Sequence, residues 1–304
     1  MTLPKLSSAA VIIGAIVSVA ADEPEASRKP TLPPGTPAEQ VKALISQYAA
    51  AAADFRKRYK AAKSDEEKEK VVESSYPDRE RYAAILLEMA QKHPKDPAAF
   101  DALLWAVGHA RPFYADPVFA KARDALARDY LTDPRIGPLC QALRRSQFDP
   151  TRLSILRDVL AKNPNKQSQA EAAYALAKVQ HERAGWTEFF SAKATPQQVE
   201  AFGKTYGKET VAALKRENAA SLRKEYEQLL ERILADTDYA ATSVERATGK
   251  VTLGELADRE LFAFRHLEAG KPAPEIAGED VDGVKFKLSD YRGKVVLLDF
   301  WGHW

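Results

Sequence analysis

Residues 270–304 read Gly270-Lys-Pro-Ala-Pro-Glu-Ile276, and from Asp280 onward Asp-Val-Asp-Gly-Val-Lys-Phe-Lys-Leu-Ser-Asp-Tyr-Arg-Gly-Lys-Val-Val-Leu-Leu-Asp-Phe-Trp-Gly-His-Trp304. The two prolines favour an extended opening. Asp282-Gly283 is a tight-turn signal, because glycine accepts the positive φ that hairpin turns need. Val284, Phe286 and Leu288 alternate with Lys285 and Lys287, the period of a half-buried strand. Ser289 to Gly293 is a turn or one helical turn. Val295 to Phe300 is a near-continuous β-branched and apolar run, which predicts a central strand covered on both faces.

Upstream the pattern changes from period two to period 3.6. Thr36-Pro37-Ala38-Glu39 combines a capping box with proline at the first helical position. Val41, Leu44, Ile45, Tyr48, Ala52, Phe55 and Tyr59 mark one helical face. Arg56 to Lys60 is basic, but Asp65-Glu66-Glu67 follows, so the cluster reads as a solvated helix face. A second helix follows Asp78, with Tyr82, Ile85, Leu86 and Met89 on its stripe. A punctuation then recurs: Asp96-Pro97, Asp116-Pro117, Asp133-Pro134, Asp149-Pro150 and Asn163-Pro164. Asp or Asn before Pro predicts a capped helix start at each. Ser168-Gln-Ala-Glu171 reads as another capping box. Further helices follow Thr195-Pro196, span Ser221 to Ala235, and start at Thr252-Leu-Gly-Glu255, the last ending near Ala269-Gly270. Starts spaced this closely imply short antiparallel helices stacked in pairs, distantly resembling tetratricopeptide repeats but without a strict repeat signature.

The order of motifs in residues 270–304 resembles the start of a thioredoxin-like domain, of the exported thiol–disulfide reductase and redoxin kind (alkyl hydroperoxide reductase–thiol-specific antioxidant related). The Gly-Lys-x-Ala-Pro opening, the Leu-Ser-Asp-Tyr-Arg-Gly-Lys turn and the strand ending Phe-Trp-x-x-Trp carry the resemblance. In that family these lead directly into Cys-x-x-Cys, so the resemblance implies a domain cut off just before its redox motif. Phe300-Trp-Gly-His-Trp304 resembles the dithiol branch rather than the peroxide-reducing branch. The implied chemistry is attack of a low-pKa thiolate on a substrate disulfide, with a second cysteine resolving the mixed disulfide. By resemblance Trp301 and Trp304 flank the approach to the motif and shape it. His303 lies in the same connection and receives no catalytic role.

The expected fold is therefore mainly α. An irregular or solenoid-like helical-hairpin domain spans residues 36–269. It is followed over 270–304 by the truncated start, a β-hairpin plus one strand, of a thioredoxin-like α/β domain. Residues 1–21 read as a signal peptide, because Ala9 to Ala21 is an uncharged apolar run too short to span a bilayer, with small residues at Ser18-Val-Ala20. Residues 22–35 form a proline-rich linker. The expected location is exported, periplasmic or extracellular, with no membrane span after cleavage.

The chain has 304 residues with 45 basic and 43 acidic side chains, a balance that gives no reason to expect a nucleic-acid partner. Its single cysteine, Cys140, cannot form an internal disulfide or a dithiol pair. Ile136, Leu139 and Leu143 surround it at helical spacing, which predicts a buried thiol. His93, His109, His181, His266 and His303 do not pair on one helix face, so they suggest no metal site. Trp105, Phe113, Tyr114 and Trp186 line a groove or, by default, pack in a core. No catalytic, cofactor-binding or metal-binding residue is assigned, and no cofactor is expected. The partners implied by the resemblance are protein disulfide substrates or an upstream thiol reductant, with a protein partner for the helical region. The competing reading is a non-catalytic helical interaction module with a vestigial redoxin tail.

Overall fold

The computed structural model describes residues 30, 32–110, 116–246 and 249–299. Eight helices open it: α1 (Pro37–Ala61), α2 (Asp65–Ser75), α3 (Arg79–Lys92), α4 (Ala98–His109), α5 (Pro117–Asp129), α6 (Gly137–Arg145), α7 (Arg152–Lys162) and α8 (Lys166–Glu188). A π-helical turn, Phe189–Lys193, ends α8. Then follow α9 (Pro196–Tyr206), α10 (Lys208–Arg216), α11 (Ala219–Ala235) and α12 (Thr237–Ala241). The hairpin β1 (Ser243–Arg246) and β2 (Gly249–Thr252) precedes α13 (Leu253–His266). A second hairpin, β3 (Ala277–Glu279) and β4 (Lys285–Lys287), and a 3-10 turn, Leu288–Tyr291, complete the described elements. The fold is mainly α with a short strand region at the end.

The capping boxes at Thr36 and Thr252 form as their sequences predict, and a third forms at Thr195, each hydroxyl accepting from the third helical N–H. The Asp/Asn-Pro punctuation behaves differently. In all five cases the side-chain oxygen accepts from the N–H two residues on: Asp96 from Ala98, Asp116 from Val118 and Asp133 from Arg135, each at 2.8 Å, and Asp149 from Thr151 and Asn163 from Asn165, each at 2.9 Å. Of the five, Asp116 alone is also the cap of the next helix, reaching Phe119. The others make Asx turns that reverse the chain before the helix begins. A side chain this short mimics a backbone turn as readily as it caps a helix. Ser168 is likewise not a cap. Asn165 caps α8, and the Ser168 hydroxyl instead donates to the Pro134 carbonyl at 2.9 Å.

Helix α8 is the centre of the array. It is buried on nearly every face, with Ala170, Ala172, Ala173, Ala175 and Ala177 letting α6, α7 and α11 approach closely. Helices α3, α4 and α5 stack in sequence and join it through α6, and α13 packs on α11. The main core runs from Val41 to Leu261, with Phe264 at its margin. A smaller aromatic cluster gathers Phe148, Trp186, Phe190, Phe202 and Tyr206. Phe148 enters it from a turn with φ of 61°, which a bulky residue rarely adopts. Buried Arg152 steadies that turn by donating to the Ser146 carbonyl at 3.2 Å.

The tail departs from its sequence reading in one respect. The hairpin forms around Asp282-Gly283, with Gly283 at φ 78° and Phe286 opposite Gly278. Residues 295–299 form no regular element and join no sheet among the described residues, and Val295 and Leu297 are fully or almost fully exposed. A covered central strand needs neighbours on both edges, and none of the described strands supplies one. Phe300, Trp301, His303, Trp304, Phe113, Tyr114 and the whole of residues 1–21 lie outside the described residues.

Candidate functional site

The redoxin-like motifs build a small local frame. Leu288 donates to the Ile276 carbonyl at 2.8 Å, and Ser289 donates its N–H to Glu275 Oε1 at 3.0 Å. Hydrogen bonds from Ser289 hold the exposed Glu275 carboxyl below its ordinary pKa. Asp290 Oδ2 accepts from the Lys287 N–H at 2.9 Å, opening the 3-10 turn. Asp280 organises the hairpin loop, its Oδ1 accepting from Asp282 and Val284 at 2.9 Å each. The Pro-x-Pro-Glu-Ile opening is thereby clamped to the Leu-Ser-Asp-Tyr turn, and the chain leaves that clamp at Lys294 as the exposed apolar run.

No cysteine lies in this frame. Cys140 sits on α6, fully buried against α8. Burial, then the nearby Glu171 carboxyl, pushes its thiol well above the ordinary cysteine range. Such a thiol has almost no thiolate at neutral pH and no route to a substrate.

The histidines and aromatics weighed from the sequence are mostly core. Trp105 and His109 stack with ring centroids 3.8 Å apart, and His109 Nδ1 donates to the Trp105 carbonyl at 2.9 Å. Burial lowers the His109 pKa despite that bond. Trp186 belongs to the smaller aromatic cluster. His93 terminates α3, and His266 packs on Phe262. Among the described residues, no group of three or more potential metal ligands converges.

Two polar clefts open on the helical array. In one, between α8, α11 and α13, Glu260 accepts from Tyr174 at 2.7 Å, Lys178 at 2.9 Å and Tyr226 at 3.0 Å. His181 lies against the Tyr226 ring, and burial lowers its pKa. The other cleft, between α6, α8 and β1, contains Arg144, Arg145 and the buried Glu171. Sequence reading found neither. Their members are 30 to more than 80 residues apart, and each is unremarkable in its own helix.

Comparison with known proteins finds likeness over part of the chain. One segment of 53 residues is 40% identical to the thiol-disulfide oxidoreductase ResA of Bacillus subtilis (strain 168), covering 17% of this chain and 30% of that protein. Over 38 residues the chain is 51% identical to ResA of Geobacillus kaustophilus (strain HTA426), and 47% identical to that of Bacillus thuringiensis subsp. konkukian (strain 97-27). Each of these two alignments covers 12% of this chain and 22% of the relative. Over that segment the chain resembles the thioredoxin-like redoxins. It spans less than a third of the length of the curated relatives it matches. No family model matches the chain, and no solved structure matches it significantly.

Proposed function

We propose that the redoxin-like segment begins a thiol–disulfide oxidoreductase domain whose redox cysteines lie outside these 304 residues, and that the protein works outside the cytoplasm. The identity of 40–51% to ResA proteins over 38 to 53 residues carries this reading. Burial of the single cysteine supports placing the redox cysteines outside these residues, because a dithiol mechanism needs an accessible thiolate and a resolving thiol held close together. Its substrates would be protein disulfides, or its partner an upstream thiol reductant. Residues 36–269 form a separate helical domain in this reading, with a protein partner of its own. Residues 1–21 direct export and 22–35 link them to that domain. No helix among the described residues is long and apolar enough to cross a membrane.

The test is reduction of a model protein disulfide with dithiothreitol as electron donor. The 304-residue chain should give the uncatalysed rate. The same frame continued through a Cys-x-x-Cys should catalyse, and lose that activity when the first cysteine becomes serine. Catalysis by the 304-residue chain that survives Cys140→Ser would sink the reading. A continued frame without cysteines would favour the alternative, a non-catalytic helical interaction module with a vestigial tail. The two polar clefts on the helical array are the feature that keeps that alternative in play.

A further inference from the structure

The cleft between α6, α8 and β1 has a volume of about 240 Å³ and grades from a charged rim to a buried floor. Arg145 is exposed and Arg144 half-buried, both in the last turn of α6. Glu171 and Tyr174 are buried, close to one turn apart on α8. Val244 and Leu253 supply an apolar side.

Glu171 is the unusual member. Burial raises its pKa, and the amides that donate to it are neutral: Gln167 Nε2 at 3.2 Å and Gln141 Nε2 at 3.4 Å. Both bonds are at or beyond the long end of the normal range. A buried carboxyl held this weakly works against folding. The fold nevertheless accommodates it, because Gly137 leaves its carboxyl the space that a Cβ would occupy. The arginines have a structural use, since cations complement a helix C-terminus. That use does not explain why the exposed Arg145 shares a cleft with an acid. The other acid of the lining, Glu245, is exposed and lies 3.6 Å from Lys250.

We infer that this cleft binds a small zwitterion of the dipeptide class, with its carboxylate on Arg145 and its ammonium on Glu171. The ammonium supplies the cation that the buried carboxylate lacks, and arginine pairs with carboxylate through strong charge-assisted bonds. The size agrees. A cavity of about 150 Å³ holds benzene, so this one holds about ten heavy atoms, the scale of a dipeptide. Tyr174 does not compete for the polar ends, because its hydroxyl is committed to Glu260. The inference does not depend on redox chemistry in the tail.

The test is calorimetric titration of the 304-residue chain with L-alanyl-L-alanine, its N-acetyl derivative and its C-terminal amide. Saturable binding of the free dipeptide is expected, with a loss of about tenfold or more on blocking either end. Arg145→Ala, at an exposed position, should weaken binding by a similar factor. Glu171→Gln keeps the side chain's shape and removes a buried charge, so it should fold. It should bind the free and acetylated dipeptides alike. No saturable heat with any of the three, equal affinity for all three, or unchanged affinity in either variant would overturn the inference.

Discussion

Tyr174 on α8 donates its hydroxyl to Glu260 on α13 across 2.7 Å, joining positions 86 residues apart. The same carboxylate also takes Tyr226 from α11 and Lys178 from α8, so one acid ties three helices together. Glu260→Ala should cost about 2–3 kcal/mol, because two tyrosine hydroxyls and an ammonium lose their shared acceptor. Glu260→Gln keeps an oxygen for the tyrosines and should cost about 1 kcal/mol or less. Urea titration followed by circular dichroism separates the two. Equal losses would mean that the ion pair, not the tyrosine bonds, holds α13.

Alkaline pH should unfold this protein early. Burial, then the Glu260 carboxylate, raises the pKa of Tyr226, and burial raises those of Tyr48, Tyr82 and Tyr130. An unfolded tyrosine ionises near pH 10. Above that pH the unfolded chain has lost protons that the folded chain keeps, so stability falls as pH rises. The contribution is complete below pH 10 and is lost above it. Tyr226→Phe should flatten the alkaline limb of a stability–pH curve while lowering stability at pH 7 by about 1 kcal/mol. An unchanged alkaline limb would remove Tyr226 from the account.

The parts legible in the sequence are those decided locally. Thr36 and Thr252 cap their helices because each box needs only four consecutive residues. Cys140 is buried as the spacing of Ile136, Leu139 and Leu143 implies. The Asp/Asn-Pro pairs were half legible. A helix start near each followed from the residue types, but whether the oxygen caps the helix or closes a turn before it depends on the backbone that follows. The β1–β2 hairpin was not legible, because Ser243-Val-Glu-Arg and Gly249-Lys-Val-Thr are short and polar. Residues 295–299 show the opposite failure, a strand composition without the partners that make a strand. The clefts at Glu260 and Glu171 exist only once distant helices meet.

The Cys140 thiol should be inert in the folded protein. It is fully buried with a raised pKa, so disulfide reagents need an opening of α6 from α8 to reach it. Labelling with a chromogenic aromatic disulfide should find one thiol per chain in guanidinium chloride and almost none under native conditions over the same interval. Native labelling at the rate of a free cysteine would show that α6 opens readily, and would return Cys140 to consideration as a redox residue.

A fragment of residues 36–269 should fold alone. The main core runs from Val41 to Leu261, the helical array contains both polar clefts, and no described tail residue belongs to either core cluster. Its far-ultraviolet spectrum should be strongly helical, and it should melt within a few degrees of the 304-residue chain. A disordered or strand-rich spectrum would mean that the tail is part of the helical fold.

Asn163 offers the sharpest test of how the Asx turns hold the array. It is buried, its Nδ2 donates to the carbonyls of Leu131 at 2.8 Å and Asp133 at 3.0 Å, and its Oδ1 accepts from Asn165. The turn that opens α8 is thereby bonded to the turn that opens α6, thirty residues earlier in the chain. Asn163→Ala removes all three bonds and should cost about 2–4 kcal/mol. Asn163→Asp retains the acceptor for Asn165 but faces two carbonyl oxygens with a carboxylate. At pH 7 it should therefore cost as much as alanine or more, since a buried charge without a donor adds its own penalty. Lowering the pH toward 4 protonates that carboxyl and restores one donor, so the aspartate variant should regain stability relative to the alanine variant. Urea unfolding of both variants at the two pH values decides it. An aspartate variant as stable as the parent at pH 7 would show that the link between the two turns contributes little to the fold.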